Sequence, residues 1–78
     1  MSAPAVVWVV IVETSNDYLP DDREIDGLYQ TRDGAVARAE ACVAAIGGSS
    51  QRIYEHDGET SWRVRRSTVS VERWEVKP

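Results

Sequence analysis

The residues best suited to chemistry lie in an acidic stretch, Asp22 to Gly27, which Asp33 follows at a short distance. Carboxylates at alternating positions before a turn glycine are the ligand pattern of a calcium-binding loop. On that interpretation the candidate metal ligands are Asp22, Glu24, Asp26 and Asp33. The pattern departs from a calcium loop because Glu24 is long for its position, Asp33 replaces a bidentate glutamate, and Pro20 leaves no entering helix. We therefore favour a solvated acidic loop without a metal ion.

A second group consists of the arginines Arg63, Arg65 and Arg66, which stand close to tryptophan in the sequence. Arginine and aromatic residues on one sheet surface are typical of proteins that bind single-stranded nucleic acid. In an extended strand, however, Trp62 points away from Arg63 and Arg65, which predicts a core tryptophan and solvated arginines. Acids on adjoining strands can pair with these arginines across the sheet, namely Glu59, Glu72 and Glu75. The formal net charge of −4 also disfavours nucleic acid, because its binding needs a basic surface.

No residue stands in a recognisable catalytic motif. His56 is the only histidine and adjoins a predicted turn, so we expect it at an exposed tip. Cys42, the only cysteine, cannot form an intrachain disulfide, and on an apolar helix face it is expected to be buried and inert. Gly47-Gly48 follows a helix C-terminus, where the dipole repels anions, and is not a phosphate site. These observations predict a non-enzymatic protein without a cofactor in a reducing cytoplasm.

The element that must position these residues is the apolar run Ala5 to Val12, AVVWVVIV. Its β-branched residues favour a strand, and it is much shorter than the roughly 20 residues needed to cross a bilayer. Residues 1–4 contain no Lys or Arg, which argues against a signal peptide. We predict a buried strand over about 5–13 with apolar side chains on both faces.

An acidic loop is predicted over 13–27 and one helix over about 32–46. Thr31 suits the N-cap and Asp33 the first turn, where a negative charge complements the helix dipole. Gly47 is expected to end the helix in the left-handed conformation. One face of the helix is apolar and is formed by Ala35, Val36, Ala39, Cys42, Val43 and Ile46.

The last third of the chain predicts three strands, over about 51–56, 60–66 and 69–76. Asp57-Gly58 is a strong hairpin signal between the first two of them. Ser67-Thr68 is a candidate for the next turn. In a regular last strand Val69 and Trp74 would face opposite sides of the sheet, because they are five positions apart. A bulge near Glu72 or Arg73 would place them on one apolar face.

The element order predicts a single α+β domain over 1–78, in which one helix packs on a 3–4-stranded, mostly antiparallel sheet (β-loop-α-β-β-β). The opening strand is expected at the centre, parallel to a neighbour across a right-handed crossover. One helix covers one face, so the other face would expose an apolar patch. Two alternatives stay open: a second copy or a partner covers this face, or the loop residues Tyr18, Leu19 and Ile25 fold over it.

Gly27-Leu28-Tyr29-Gln30-Thr31 leads from the polar loop into an alanine-rich helix. This layout resembles small uncharacterised bacterial and bacteriophage proteins that have a strand, a glycine–aliphatic–aromatic entry, a helix and a closing hairpin. The resemblance implies that Gly27 turns, Thr31 caps the helix and the aromatic residue packs. It implies no catalytic residue, and it suggests a phage-type accessory or host-modulating protein.

Together these observations predict a small cytoplasmic protein-interaction module. The expected partner-binding residues are charged: Asp17, Asp21, Asp22, Glu24, Asp26, Arg63, Arg65 and Arg66. The acidic loop would steer a basic partner, because clustered charge raises encounter rates, and the uncovered sheet face would serve a partner or a homodimer. The alternatives are a nucleic-acid-binding or a calcium-binding domain.

Overall fold

A computed structural model describes residues 5–76 of the chain, which form one helix packed on a five-stranded sheet. The elements in chain order are β1 (Ala5–Thr14), β2 (Asp22–Tyr29), α1 (Arg32–Ile46), β3 (Ser50–His56), β4 (Glu59–Val64) and β5 (Ser67–Val76). The sheet order is β2-β1-β5-β4-β3, and every neighbouring pair is antiparallel. The predicted α+β class is confirmed, but the sheet has five strands instead of three or four.

The additional strand is β2, which occupies much of the predicted acidic loop 13–27. Its sequence DREIDGLY is rich in residue types that are depleted in strands, and pairing with β1 overrides that preference. Asp26 is the extra residue of a β-bulge that shifts the register along β1. The ring of Tyr29 lies against Gly27, where a Cβ would stand 3.1 Å from it, so the aromatic side chain covers the strand glycine.

The position of β1 differs from the prediction in two respects. It lies second from the edge, and β5 is the central strand. Both neighbours of β1 run antiparallel to it, so the predicted parallel neighbour is wrong. The physical reason is the β1–β2 hairpin, which reverses the chain before the helix begins. The helical crossover instead joins β2 and β3, which run parallel to each other at opposite edges of the sheet.

The core lies between α1 and one face of the sheet. Thr31 caps the helix by accepting a hydrogen bond from the Gly34 backbone N at 3.1 Å, as predicted. The helix ends at Gly47, whose φ of 79° is positive but whose ψ of 162° lies outside the left-handed helical region. The core consists of Val10, Ala35, Ala39, Trp62, Val64, Val69 and Val71. Among residues 5–76, no helix has the length and apolar character needed to span a membrane.

The turn between β4 and β5 lies earlier than predicted. Val64 pairs with Ser67, so the turn consists of Arg65 and Arg66, and Ser67-Thr68 belongs to β5. Arg65 has a φ of 54°, a backbone conformation that costs a non-glycine residue roughly 1 kcal/mol. This turn is local but carries none of the glycine or asparagine signals from which a turn is recognised.

The predicted bulge near Glu72 or Arg73 is absent. β5 pairs with β1 in continuous register from Ser67 to Val76. Because side chains alternate along an unbroken strand, Val69 faces the helix while Trp74 faces the opposite side of the sheet. The apolar residues of β5 therefore lie on both faces of the sheet.

Candidate interaction surface

The acidic residues between β1 and α1 do not form one free cluster. Asp17 accepts a hydrogen bond from Arg66, with 2.9 Å between Oδ2 and Nη1. Asp26 accepts two hydrogen bonds from Arg38 of α1, at 2.8 and 3.2 Å. The other predicted acids of this stretch are exposed, namely Asp21, Asp22 and Glu24. Arginines of the same chain therefore neutralise part of the negative charge that was expected to steer a basic partner.

The three predicted basic residues lie in three different environments. Arg63 is exposed on β4, on the sheet face opposite the helix. Arg65 donates from Nε to the Gly47 carbonyl oxygen at 3.0 Å, which brings a positive charge to the end of a helix whose last turn has no basic residue. Arg66 meets the β1–β2 loop, where its carbonyl oxygen accepts from the Ser15 backbone N at 2.9 Å. The basic turn and the acidic loop thus contact each other.

The four candidate metal ligands are not brought together. Asp22, Glu24 and Asp26 lie along β2, whereas Asp33 lies in the first turn of α1. Alternate residues of a strand are roughly 6.6 Å apart, so these carboxylates do not curl around one ion as they do in a calcium loop. Within residues 5–76, no group of three His, Cys, Asp or Glu side chains is placed to hold a metal ion.

Asp26, Arg38 and Cys42 form a polar contact between β2 and α1. The hydrogen bond from Arg38 lowers the pKa of Asp26 below its ordinary 3.8, although partial burial opposes the shift. The same pair raises the pKa of Arg38. Burial raises the pKa of the Cys42 thiol, and the Asp26 carboxylate raises it further. Cys42 is partly rather than fully buried, but its protonated thiol is a poor nucleophile.

The sheet face opposite α1 carries exposed large apolar side chains, and we call it the open face. Strand alternation and the β1 pairings place on it the exposed residues Ile25, Leu28, Tyr54, Trp74 and Val76. Leu28 pairs with Val9 and Trp74 pairs with Val7, so these side chains are neighbours across β1. Val9 is fully buried even though no helix covers it, because the side chains of the adjoining strands surround it.

The β1–β2 loop does not cover the open face. Tyr18 and Leu19, the loop residues expected to fold over it, are 97% and 70% exposed. Ile25 belongs to β2 and is itself exposed on that face. The alternative in which the loop closes the second face is therefore wrong, and the large apolar side chains of this face are exposed to solvent.

A groove of about 420 Å³ lies on the other side of the sheet, between α1 and β3. Trp62, which is 7% exposed, helps to line it, and the Arg52 guanidinium lies 5.3 Å from the centroid of the Trp62 ring. The other lining residues are Glu40, Val43, Ala44, Gly47, Gly48 and Ser50. The helix packs mainly on β1, β2, β4 and β5, and every residue of β3 is exposed. The sequence did not indicate this groove, because it depends on β3 being an edge strand.

Comparisons of the chain with models of known protein families, with curated proteins and with solved structures found no match.

Proposed function

We propose that this chain is a small non-enzymatic protein-interaction module that binds a partner protein through the open face of its sheet. The observation that supports the proposal is the placement of several exposed large apolar side chains on one uncovered face. Contiguous apolar patches are rare on monomers and mark interaction sites. Trp74 is of a residue type enriched among the side chains that dominate binding energy, whereas Tyr54 lies on the edge strand β3, with Ser61 and Ser70 between it and β1.

Charged residues border this patch. Arg23 of β2 reaches across β1 to Glu72 of β5, with 3.4 Å between Nη2 and Oε2, and it also lies 3.6 Å from Glu13. Arg63 lies on the same face two strands away from β1. An apolar centre with a charged rim is the usual composition of a protein–protein interface, in which rim charges contribute more to specificity and association rate than to affinity.

The groove beside β3 does not have the composition of an acid–base catalytic site. Among its lining residues Glu40 is the one titratable side chain. Acid–base catalysis needs positioned groups with matched pKa values, and a single exposed carboxylate does not supply them. The resemblance to small bacteriophage proteins extends the proposal to a cytoplasmic accessory or host-modulating role.

The test compares two double variants as immobilised baits in extracts of the source organism. Leu28→Ser with Trp74→Ser removes the centre of the open face, while Tyr18→Ser with Leu19→Ser removes two apolar side chains of the loop that are more exposed. We expect the wild type and the loop variant to retain the same proteins. The open-face variant should lose them, because truncating one central aromatic costs about 2 kcal/mol or more, roughly a thirtyfold loss of affinity.

The loop variant should keep its stability because Tyr18 and Leu19 are exposed, and the open-face variant should fold with a loss of about 1 kcal/mol or more because Trp74 is only 40% exposed. Far-UV circular dichroism and thermal unfolding check this point. Retention of the same proteins by the folded open-face variant would show that partners bind elsewhere, and the proposal would be wrong.

A further inference from the structure

The outer edge of β3 is an open sheet edge. All seven residues of the strand are exposed, and among residues 5–76 it pairs with β4 alone. An edge strand presents unpaired backbone N–H and C=O groups, which form a template for pairing with another chain. Lysine and proline, two residue types that discourage such pairing, do not occur in SQRIYEH, although a β-bulge at Ile53 interrupts the register with β4.

A bulge in β3 places opposite charges on the same face. Arg52 pairs with Trp62 and Glu55 pairs with Thr60, both of which face the helix, so Arg52 and Glu55 share that face. Their side chains form an ion pair of 3.2 Å within the strand. Ile53 and Tyr54 lie between them and are 51% and 47% exposed. The middle of β3 therefore consists of a cation, two apolar residues and an anion, in that order.

We propose that β3 pairs antiparallel with β3 of a second copy of this chain, which joins two five-stranded sheets into one continuous sheet. In this register a two-fold axis passes between Ile53 and Tyr54. Arg52 then lies opposite Glu55 of the second copy, and Ile53 lies opposite its Tyr54. Because the interface is isologous, each of these contacts occurs twice.

Charge complementarity selects β3 over the other edge. The β3 edge is self-complementary in the antiparallel register, since each Arg52 meets a Glu55. Two copies of β2 would instead bring the acids Asp22, Glu24 and Asp26 close to their own counterparts, and like charges across strands are destabilising. A contact of one strand on each side is small, so we expect a weak dimer with a dissociation constant on the order of micromolar.

The test is sedimentation equilibrium of the full chain from about 5 to 500 µM, a range that brackets micromolar dissociation constants. Arg52→Glu places two glutamates opposite each other at both ends of the interface, and Glu55→Arg places two arginines there. Each variant alone should dimerise at least about tenfold more weakly than the wild type. An equimolar mixture of the two variants should restore dimers, because each copy then supplies the charge that the other requires.

Glu75→Arg, which makes the same charge change as Glu55→Arg on the central strand β5 and also breaks an exposed ion pair within one strand, is the matched control and should dimerise like the wild type. Thermal unfolding of dilute samples establishes that all variants fold. Amide hydrogen exchange should show concentration-dependent protection confined to residues 50–56.

A wild-type chain that stays monomeric over the whole range would overturn the proposal. So would a dimer that Arg52→Glu leaves intact, or a mixture that remains monomeric. A dimer abolished by the Leu28 and Trp74 replacements alone would assign self-association to the open face instead. Because partner capture through the open face is measured separately, edge pairing and the proposed function can fail independently.

Discussion

The sheet ends in β2 on one side and in β3 on the other, and the two edges differ in what their side chains contact. From β2, Arg23 reaches Glu72 of β5, and Asp26 is bound by Arg38 of α1. From β3, Arg52 pairs with Glu55 of the same strand, and His56 lies 3.1 Å from Asp57 in the adjoining turn. The ion pairs of β2 thus tie it to other elements, whereas those of β3 stay within its own hairpin.

This difference indicates that residues outside β3 fix the position of β3. Exposed ion pairs contribute roughly 0–1 kcal/mol each, so neither edge is fixed by charge alone. The β3–β4 hairpin is anchored at its tip, where Arg32 donates to the Gly58 carbonyl oxygen at 2.7 Å and the Trp8 ring approaches Gly58. It is anchored in its middle by Trp62, which lies beneath the helix. The position of β3 therefore depends on residues outside β3.

The largest predicted effect on stability comes from replacing Trp62, which anchors the middle of the β3–β4 hairpin. Trp62→Ala removes a 93%-buried indole, and large-to-small core substitutions of tryptophan cost about 3–5 kcal/mol of the free energy of unfolding. Trp74→Ala, on the open face, removes a side chain that is 40% exposed and should cost about 1 kcal/mol. Urea unfolding of dilute samples measures both. Equal losses for the two variants would contradict the assignment of Trp62 to the core and Trp74 to the surface.

A smaller effect is expected at the tip. Arg32→Ala removes a partly buried, charge-assisted hydrogen bond to Gly58, which contributes about 1–2 kcal/mol. Amide exchange in the β3–β4 hairpin should then become faster, while exchange in β2 stays unchanged. Arg63→Ala removes an exposed arginine of the same hairpin and serves as the control, with a change of about 0.5 kcal/mol or less. Faster exchange in β2 as well would show that Arg32 supports the whole domain and not the hairpin tip.

The elements that the sequence predicts well are those with local signals. The helix follows from Thr31, the alanine-rich apolar face and Gly47, and the structure places α1 over the predicted span. The β3–β4 hairpin follows from Asp57-Gly58, both of which have positive φ, as a tight two-residue turn requires. The two faces of β4 follow from alternation, which correctly assigned Trp62 to the core.

The features that the sequence does not predict depend on residues far apart in the chain. β2 lacks a strand-like composition and is stabilised by pairing with β1 and by contacts to α1. The charges of Asp17, Asp26 and Arg66 suggest partner binding in the sequence, but each is paired within the chain. The open edge of β3 follows from the sheet order, which places β5 rather than β3 beside β1. Local patterns carry no information about that order.

The smallest predicted effect is a difference between the two edge strands in how their ion pairs change the melting temperature with pH. The Arg38 hydrogen bond lowers the folded-state pKa of Asp26 below 3.8, so ionised Asp26 stabilises the fold above that pH. This stabilisation is lost as the pH falls from 3.8 through the lower folded value. Asp26→Asn should therefore lower the melting temperature at neutral pH by about 2–4 °C, and its difference from the wild type should shrink in acid.

Glu55→Gln is the matched change on the β3 edge, where the ion pair is exposed and confined to one strand. In dilute samples it should shift the melting temperature by about 1 °C or less, because the pair joins no separate elements. Thermal unfolding of both variants from neutral pH to pH values below 3.8 measures the contrast. If Glu55→Gln destabilises the monomer as much as Asp26→Asn, the β3 edge is anchored by its own charges. The two edge strands would then not differ in how strongly their own ion pairs stabilise them.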